Sequence, residues 1–167
     1  MKKGIKIFCI LFLLTILFSS CSNTDSFSEK DLEFTVNNVV FRLDQDVAPL
    51  LETLGDEYET AEAPSCVYDG MDKTFMYDSV EIYTYPLNGK DLIDEIAFID
   101  STFETKRGIS IGDTKEDLIK AYGEDYTDEG GVYRYAVKKG DLDSPCIYFT
   151  MDQDKVVGIS LYSASNM

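Results

Sequence analysis

Histidine and tryptophan are both missing from this chain of 167 residues. Without an imidazole there is no general base for a serine–histidine–acid triad. A zinc site would need more Cys or His than the chain holds. Basic residues are scarce as well: fifteen Lys and Arg stand against thirty-one Asp and Glu, a net charge of −16. Such a surface repels nucleic acid phosphates and anionic lipid headgroups, which excludes nucleic acid as a partner. It favours solubility, cations or basic partners, and a strongly acidic surface is most often a solvated one.

Long apolar runs are also missing, with one exception. Lys2, Lys3 and Lys6 precede an apolar stretch from Ile7 to Phe18, and Ser19, Ser20 and Cys21 follow. A basic start, twelve apolar residues and small residues before a cysteine describe a secretory signal. The stretch is too short to span a bilayer comfortably. Leu17-Phe18-Ser19-Ser20-Cys21 resembles the bacterial lipobox, with Phe18 where Leu is usual. The resemblance implies removal of residues 1–20 and lipidation of Cys21. It implies export, with a lipid anchor on the outer face of the cell membrane, or of an outer membrane where one exists. Residues 21–30 then read as the lipidated cysteine and a polar, flexible tether. The remaining 147 residues suffice for one domain and carry −19, since the signal holds three lysines and no acid. Cys66 and Cys146 are the cysteines left over. They either pair, as exported cysteines do, or persist as two buried thiols.

Two stretches of the mature chain echo one another at an offset of 68 residues. Phe41 aligns with Ile109, Leu43 with Ile111, Leu50 with Leu118, Leu51 with Ile119, Gly55 with Gly123 and Tyr58 with Tyr126. Val47, Leu50, Leu51 and Leu54 mark one face of a helix, and Leu118, Ile119 and Tyr122 mark another. Asp46 and Thr114 stand at N-cap positions, Pro49 in a first turn, and Gly55 and Gly123 at the stops. Alternating and β-branched segments predict strands over 65–68, 73–77, 79–85, 92–99, 132–137, 146–151 and 156–162. A hairpin through Asn37-Asn38 precedes them. The fold expected is α+β: two tandem repeats, 31–100 and 101–167, forming one compact unit. Each is a short helix followed by a three- to four-stranded antiparallel meander, with the helices on one sheet face.

The segment Ile111-Gly112-Asp113-Thr114…Leu118-Ile119…Tyr122-Gly123 carries an Ile-Gly-x-Thr…Tyr-Gly signature. A weaker copy, with Asp44 and Asp46 in place of the glycine and threonine, lies around 43–55. In tandem these resemble the β-lactamase-inhibitor-protein-like fold, of which the small outer-membrane assembly lipoproteins carry a single similar unit. Cys66-Val67-Tyr68-Asp69-Gly70-Met71-Asp72-Lys73-Thr74-Phe75-Met76-Tyr77 is similar to duplicated surface lipoproteins of unassigned function. The resemblance covers about residues 31–163 and implies a fold rather than an activity.

Candidate chemistry is thin. Gly108-Ile109-Ser110-Ile111-Gly112 matches the nucleophile elbow G-x-S-x-G, but no histidine exists to activate Ser110. Asp152-Gln153-Asp154, Asp141-x-Asp143 and Glu124-Asp125…Asp128-Glu129 lack the spacing of a calcium loop. No cofactor and no metal is expected. A carboxylate pair suited to hydrolysis cannot be read from composition when acids are this many. Tyr77, Tyr83, Tyr85, Tyr133, Tyr135 and Tyr148 fall on predicted neighbouring strands and form the candidate binding face. The plainer expectation is that half or more of these rings pack the core. The functional expectation is a lipid-anchored, non-enzymatic binding module that meets a protein or envelope ligand through an acidic, tyrosine-rich sheet face. The alternatives are a carboxylate-dependent envelope hydrolase and a structural accessory of an envelope assembly.

Overall fold

The computed structural model describes residues 25–167. The signal segment 1–20, Cys21 and the first part of the tether lie outside the described residues. Among the described residues no helix is long and apolar enough to cross a membrane.

A 3-10 turn at Glu29–Leu32 leads into a hairpin of β1 (Phe34–Val36) and β2 (Val39–Phe41). Asn37 and Asn38 both take positive φ, which Asn tolerates and a two-residue hairpin turn requires. The hairpin forms its own two-stranded sheet, and Phe34 packs edge-on against Phe103 at 5.1 Å. Helix α1 (Ala48–Leu54) follows, then β3 (Glu59–Pro64), β4 (Met71–Met76), β5 (Val80–Leu87) and β6 (Lys90–Phe98). After a long connection come α2 (Lys115–Tyr122), β7 (Thr127–Asp128), β8 (Val132–Ala136), β9 (Cys146–Asp152) and β10 (Lys155–Tyr162).

The expected fold class needs correcting. The protein is mostly β, and the ten strands among the described residues do not divide into two helix-plus-meander repeats. β3 to β10 form one continuous antiparallel sheet in the order β3-β4-β5-β6-β10-β9-β8-β7. The join is β6 against β10, with Phe98 opposite Ile159 and Ile96 opposite Leu161. A nine-residue strand left at the edge of its own meander would expose a row of unpaired backbone groups, and this pairing removes that edge. The helices are minor, seven and eight residues long, too short to hold without the sheet beneath them. Leu50 of α1 and Leu118 of α2 are fully buried in a single core with Ile82, Ile96, Phe149 and Leu161.

Local expectations met mixed outcomes. Thr114 caps α2 through the Asp117 amide, and Asp117 reaches back to the Thr114 amide. Gly55 and Gly123 close the helices with φ of 97° and 80°. Asp46 is not the α1 cap residue itself, although its Oδ1 accepts from the Ala48 amide. The strand expected at 65–68 is a loop. β3 takes its place at Glu59–Pro64, a segment exposed at every position and made a strand only by its pairing with β4. Packed chain begins earlier than the tether reading assumed. Phe27 lies 6.1 Å from the Tyr122 ring and 6.2 Å from Tyr135. Arg107 holds the next residues down, with Nε 2.7 Å from Asp31 Oδ1 and Nη2 2.9 Å from Asp31 Oδ2.

Candidate functional site

Side chains alternate across a strand, so the register assigns each residue to a face. The face under the helices carries Val80, Ile82, Ile96, Phe98, Phe149, Ile159 and Leu161. The opposite face carries two rows that run across the sheet. One is Ala61, Thr74, Tyr83, Glu95, Tyr162 and Cys146; the other is Met76, Glu81, Ala97, Ser160, Tyr148 and Arg134.

The six candidate tyrosines do not form one surface. Tyr133 and Tyr135 belong to the helix-covered core, 6% and 1% exposed, among Tyr122, Tyr126 and Phe149. Their strand turns that face inward because α2 lies over it. Tyr77 also serves the core side: its hydroxyl donates to the Gly55 carbonyl at the end of α1, and burial pushes its pKa up to about 12. Tyr85 is covered by the stacked Tyr68 ring at 5.1 Å and donates to Asp44 Oδ1. Tyr83 and Tyr148 remain on the helix-free face, with two strands, β6 and β10, between theirs in sheet order. Tyr162, which the sequence reading left out, joins them, its ring 6.3 Å from Tyr148.

The disulfide does not form, and the alternative of two buried thiols fails too. Cys66 is exposed in the β3–β4 loop, and Cys146 is fully buried on β9. Ser110 lies in the connection before α2 rather than directly after a strand, and its amide donates to Asp113 Oδ2. Asp152 and Asp154 border the β9–β10 turn, and Asp141 and Asp143 the β8–β9 loop. Among the described residues no group of three or more acids or cysteines converges to hold a metal ion.

The chemistry on the helix-free face centres instead on β6. Between Tyr83 and Thr84 the β5–β6 register slips by one residue: Tyr83 faces Glu95, and Thr84 faces Ile93. The extra residue is Asp94. A bulge of this kind re-aims side chains, and here both Asp94 and Glu95 line one cavity of about 300 Å³. Ala61 and Ala63 of the edge strand leave it open, and Asp72, Thr74, Tyr83 and Asn166 contribute to its wall. Asp94 is 9% exposed and accepts from the Ser163 hydroxyl at 2.6 Å. Glu95 accepts from the Ser160 hydroxyl. Burial lifts both carboxyls above their usual range, and the neighbouring acids add to it. Tyr83 donates to Glu81 Oε2 at 2.5 Å, a bond that, with burial, pushes its pKa up to about 12. The nearby Lys73 ammonium is committed to Asp91 at 2.8 Å. Nothing in the sequence marked Asp94 and Glu95 among thirty-one acids, because the bulge that aims them is a product of strand pairing.

At the far end of the same face, Arg134 is 4% exposed and donates through Nη2 to the carbonyls of Asp141, Leu142 and Ser144. It therefore braces the β8–β9 loop. A larger hollow of about 550 Å³ lies at the start of α2 around Lys115 and Lys155, but the Thr114 and Asp117 oxygens there are taken up by the cap.

No family model and no curated protein matches the chain. The crystal structure of the uncharacterized protein YfeY from Escherichia coli is similar over 83% of this chain and 99% of that one, at 15% identity and a TM-score of 0.41.

Proposed function

We propose that the protein is an exported lipoprotein, anchored through Cys21, that works as a non-enzymatic binding module through the helix-free face of its sheet. The observation that carries this reading is the β6 bulge, which turns Asp94 and Glu95 into a cavity beside Tyr83. A buried Asp94 beside a half-buried Glu95, with no cation partner for either, costs stability, so a site that keeps them is shaped for something other than folding. The point of anchorage suits the reading. Phe27 packs against Tyr122 on the helix side, so the chain enters away from the helix-free face. The five residues between Cys21 and Phe27 reach at most about 20 Å, which holds the domain close to the lipid.

Two experiments test it. Replacing Cys21 by Ser is expected to abolish incorporation of labelled fatty acid and to move the protein out of the membrane fraction. Retained label would end the anchor reading. Partner capture from envelope fractions with the full chain is expected to recover a component that is lost in a folded Tyr83→Ala/Tyr148→Ala variant. Equal recovery by both would remove the face from consideration.

A second reading, a carboxylate-dependent envelope hydrolase, draws on the same two acids. An acid–base pair works when its members are pushed apart, one ionised and one protonated. Asp94 and Glu95 are both pushed up, by the same cause. Release of sugar from envelope glycan by the wild type, lost in Glu95→Gln, would establish the hydrolase and displace the binding reading.

A further inference from the structure

The chain leaves β10 at Ser163 and turns across the neighbouring strands. The Ser163 amide donates to the Asp94 carbonyl at 2.9 Å, the last backbone rung between β10 and β6. Ala164 then takes φ of 63°, a left-handed conformation that strains a residue with a Cβ. From Ala164 to Met167 the described residues make no further backbone-to-backbone bond, so side chains hold this segment. The Ser163 hydroxyl donates to Asp94 Oδ1 at 2.6 Å and accepts from the Ser165 amide at 3.1 Å. Tyr68, in the β3–β4 loop, donates to the Ser165 carbonyl at 2.9 Å. Asn166 becomes part of the wall of the β6 cavity, with its Oδ1 buried and without a donor. The segment is thus held by a few bonds, with a strained residue and an unmet acceptor set against them. Segments of this kind open more readily than the sheet they lie on.

Asp94 holds the segment at its root, and Asp94 is badly placed to carry a charge. Asp44 of the segment before α1, Asp72 of β4 and the adjacent Glu95 all bear on it. Tyr83 of β5 shares its cavity wall, and Tyr162 of β10 adjoins it. Lys73 of β4 is the cation of that wall, but its ammonium sits 2.8 Å from Asp91. Burial pushes the Asp94 carboxyl up, the Ser163 bond pulls it down by less, and Asp44 and Asp72 add to the rise. Lifting residues 163–166 admits water to the carboxyl and removes part of that burial. The closed arrangement therefore holds the Asp94 proton more tightly than the open one, so a lower pH favours closing. We infer that residues 163–166 are a strap latched by Asp94, closed while that carboxyl is protonated and released when it ionises. Release takes Asn166 out of the cavity wall and widens its mouth. The inference goes beyond the binding-module reading, since it concerns a movement of the fold and requires no ligand.

Amide exchange on the full chain in detergent, corrected for intrinsic rates, tests it at about pH 4.5 and about pH 8. The Ser165 amide is expected to be about tenfold or more better protected at the lower pH. Its protection should lie well below that of the β10 amides at both, which marks a local opening. Asp94→Asn should keep the strap closed at both pH values and erase the difference, whereas Glu95→Gln should retain it. Ser163→Ala deletes the hydroxyl that joins Asp94 to Ser165, and should lower Ser165 protection at both pH values while β10 stays protected. Equal protection of Ser165 and β10 would mean that the segment opens only with the whole sheet and would overturn the inference. So would a wild type without a pH response, a response that survives Asp94→Asn, or a Ser163→Ala variant with unchanged protection. Partner capture succeeds or fails independently of all these outcomes.

Discussion

The hydroxyl of Tyr135 donates a 2.7 Å hydrogen bond to the carbonyl of Gly123. The donor is on strand β8, and the acceptor is the residue that closes α2. A helix of eight residues leaves its last carbonyls without internal partners, and a sheet residue supplies one of them. Tyr77 does the same for Gly55 at the end of α1. These two tyrosines lock the helices to the sheet, which is why they are absent from the open face.

Tyr135→Phe keeps the ring and deletes that bond. It is expected to cost about 1 kcal/mol, read as a lower midpoint in urea unfolding. Tyr122 provides the contrast, since its hydroxyl is wholly buried and engages no partner. Tyr122→Phe should therefore be neutral or slightly stabilising in the same assay. Equal losses for the two variants would contradict this assignment.

Asp94 and Glu95 predict an unusual pH response. Both carboxyls keep their protons in the folded protein to a higher pH than in the unfolded chain. Between those values the folded state binds more protons, so stability falls as pH rises through the window. Above it the cost is fully present. Asp94→Asn and Glu95→Gln should each raise the melting temperature at pH 7, by roughly 2–4 °C for every kcal/mol regained. The gain should vanish below about pH 4, where the wild-type carboxyls are protonated in both states. A gain that persisted at low pH would locate its origin in packing.

Asp31 behaves oppositely. Burial by itself would raise its pKa, but the Arg107 guanidinium and the Ser28 hydrogen bonds outweigh burial and hold it below the usual carboxylate range. Its contribution is present above the unfolded pKa and lost as pH falls through the folded one. Asp31→Asn leaves Arg107 beside Tyr122 without its counter-charge and should cost about 2–3 kcal/mol at pH 7. Faster proteolysis ahead of Phe34 is the local readout, because the 3-10 turn is the part that Arg107 holds.

Arg134→Met removes the charged donor shared by three loop carbonyls. A loss of about 2–3 kcal/mol is expected, together with faster amide exchange over residues 138–144. Unchanged exchange there would show that the loop does not depend on the guanidinium.

Thiol labelling tests the cysteine assignment directly. Cys66 should react with an alkylating reagent in the folded protein, and Cys146 only after denaturation. Signal lost in Cys66→Ser under native conditions, and in Cys146→Ala after unfolding, is the expected pattern. An intact Cys66–Cys146 bridge would block both.

Sequence alone determined what depends on neighbours a few residues apart. The Asn37-Asn38 turn, the Thr114–Asp117 cap, the glycine stops at 55 and 123 and most strand positions follow from local backbone preference and side-chain periodicity. The signal-like start of the chain is of the same local kind. What only the tertiary structure decided is everything that depends on which strand lies beside which. The β6–β10 pairing made one eight-stranded sheet where two meanders were expected. Pairing with β4 made a strand of Glu59–Pro64, which has no apolar periodicity to announce it. Helix placement sent Tyr133 and Tyr135 inward and left Tyr83 and Tyr148 outside, although all four look alike in the sequence. The slip in register at Asp94 put two acids into one cavity. Hydrogen bonds between distant strands carry no signature in either strand by itself, and the face that a side chain takes is settled only when its neighbour is chosen.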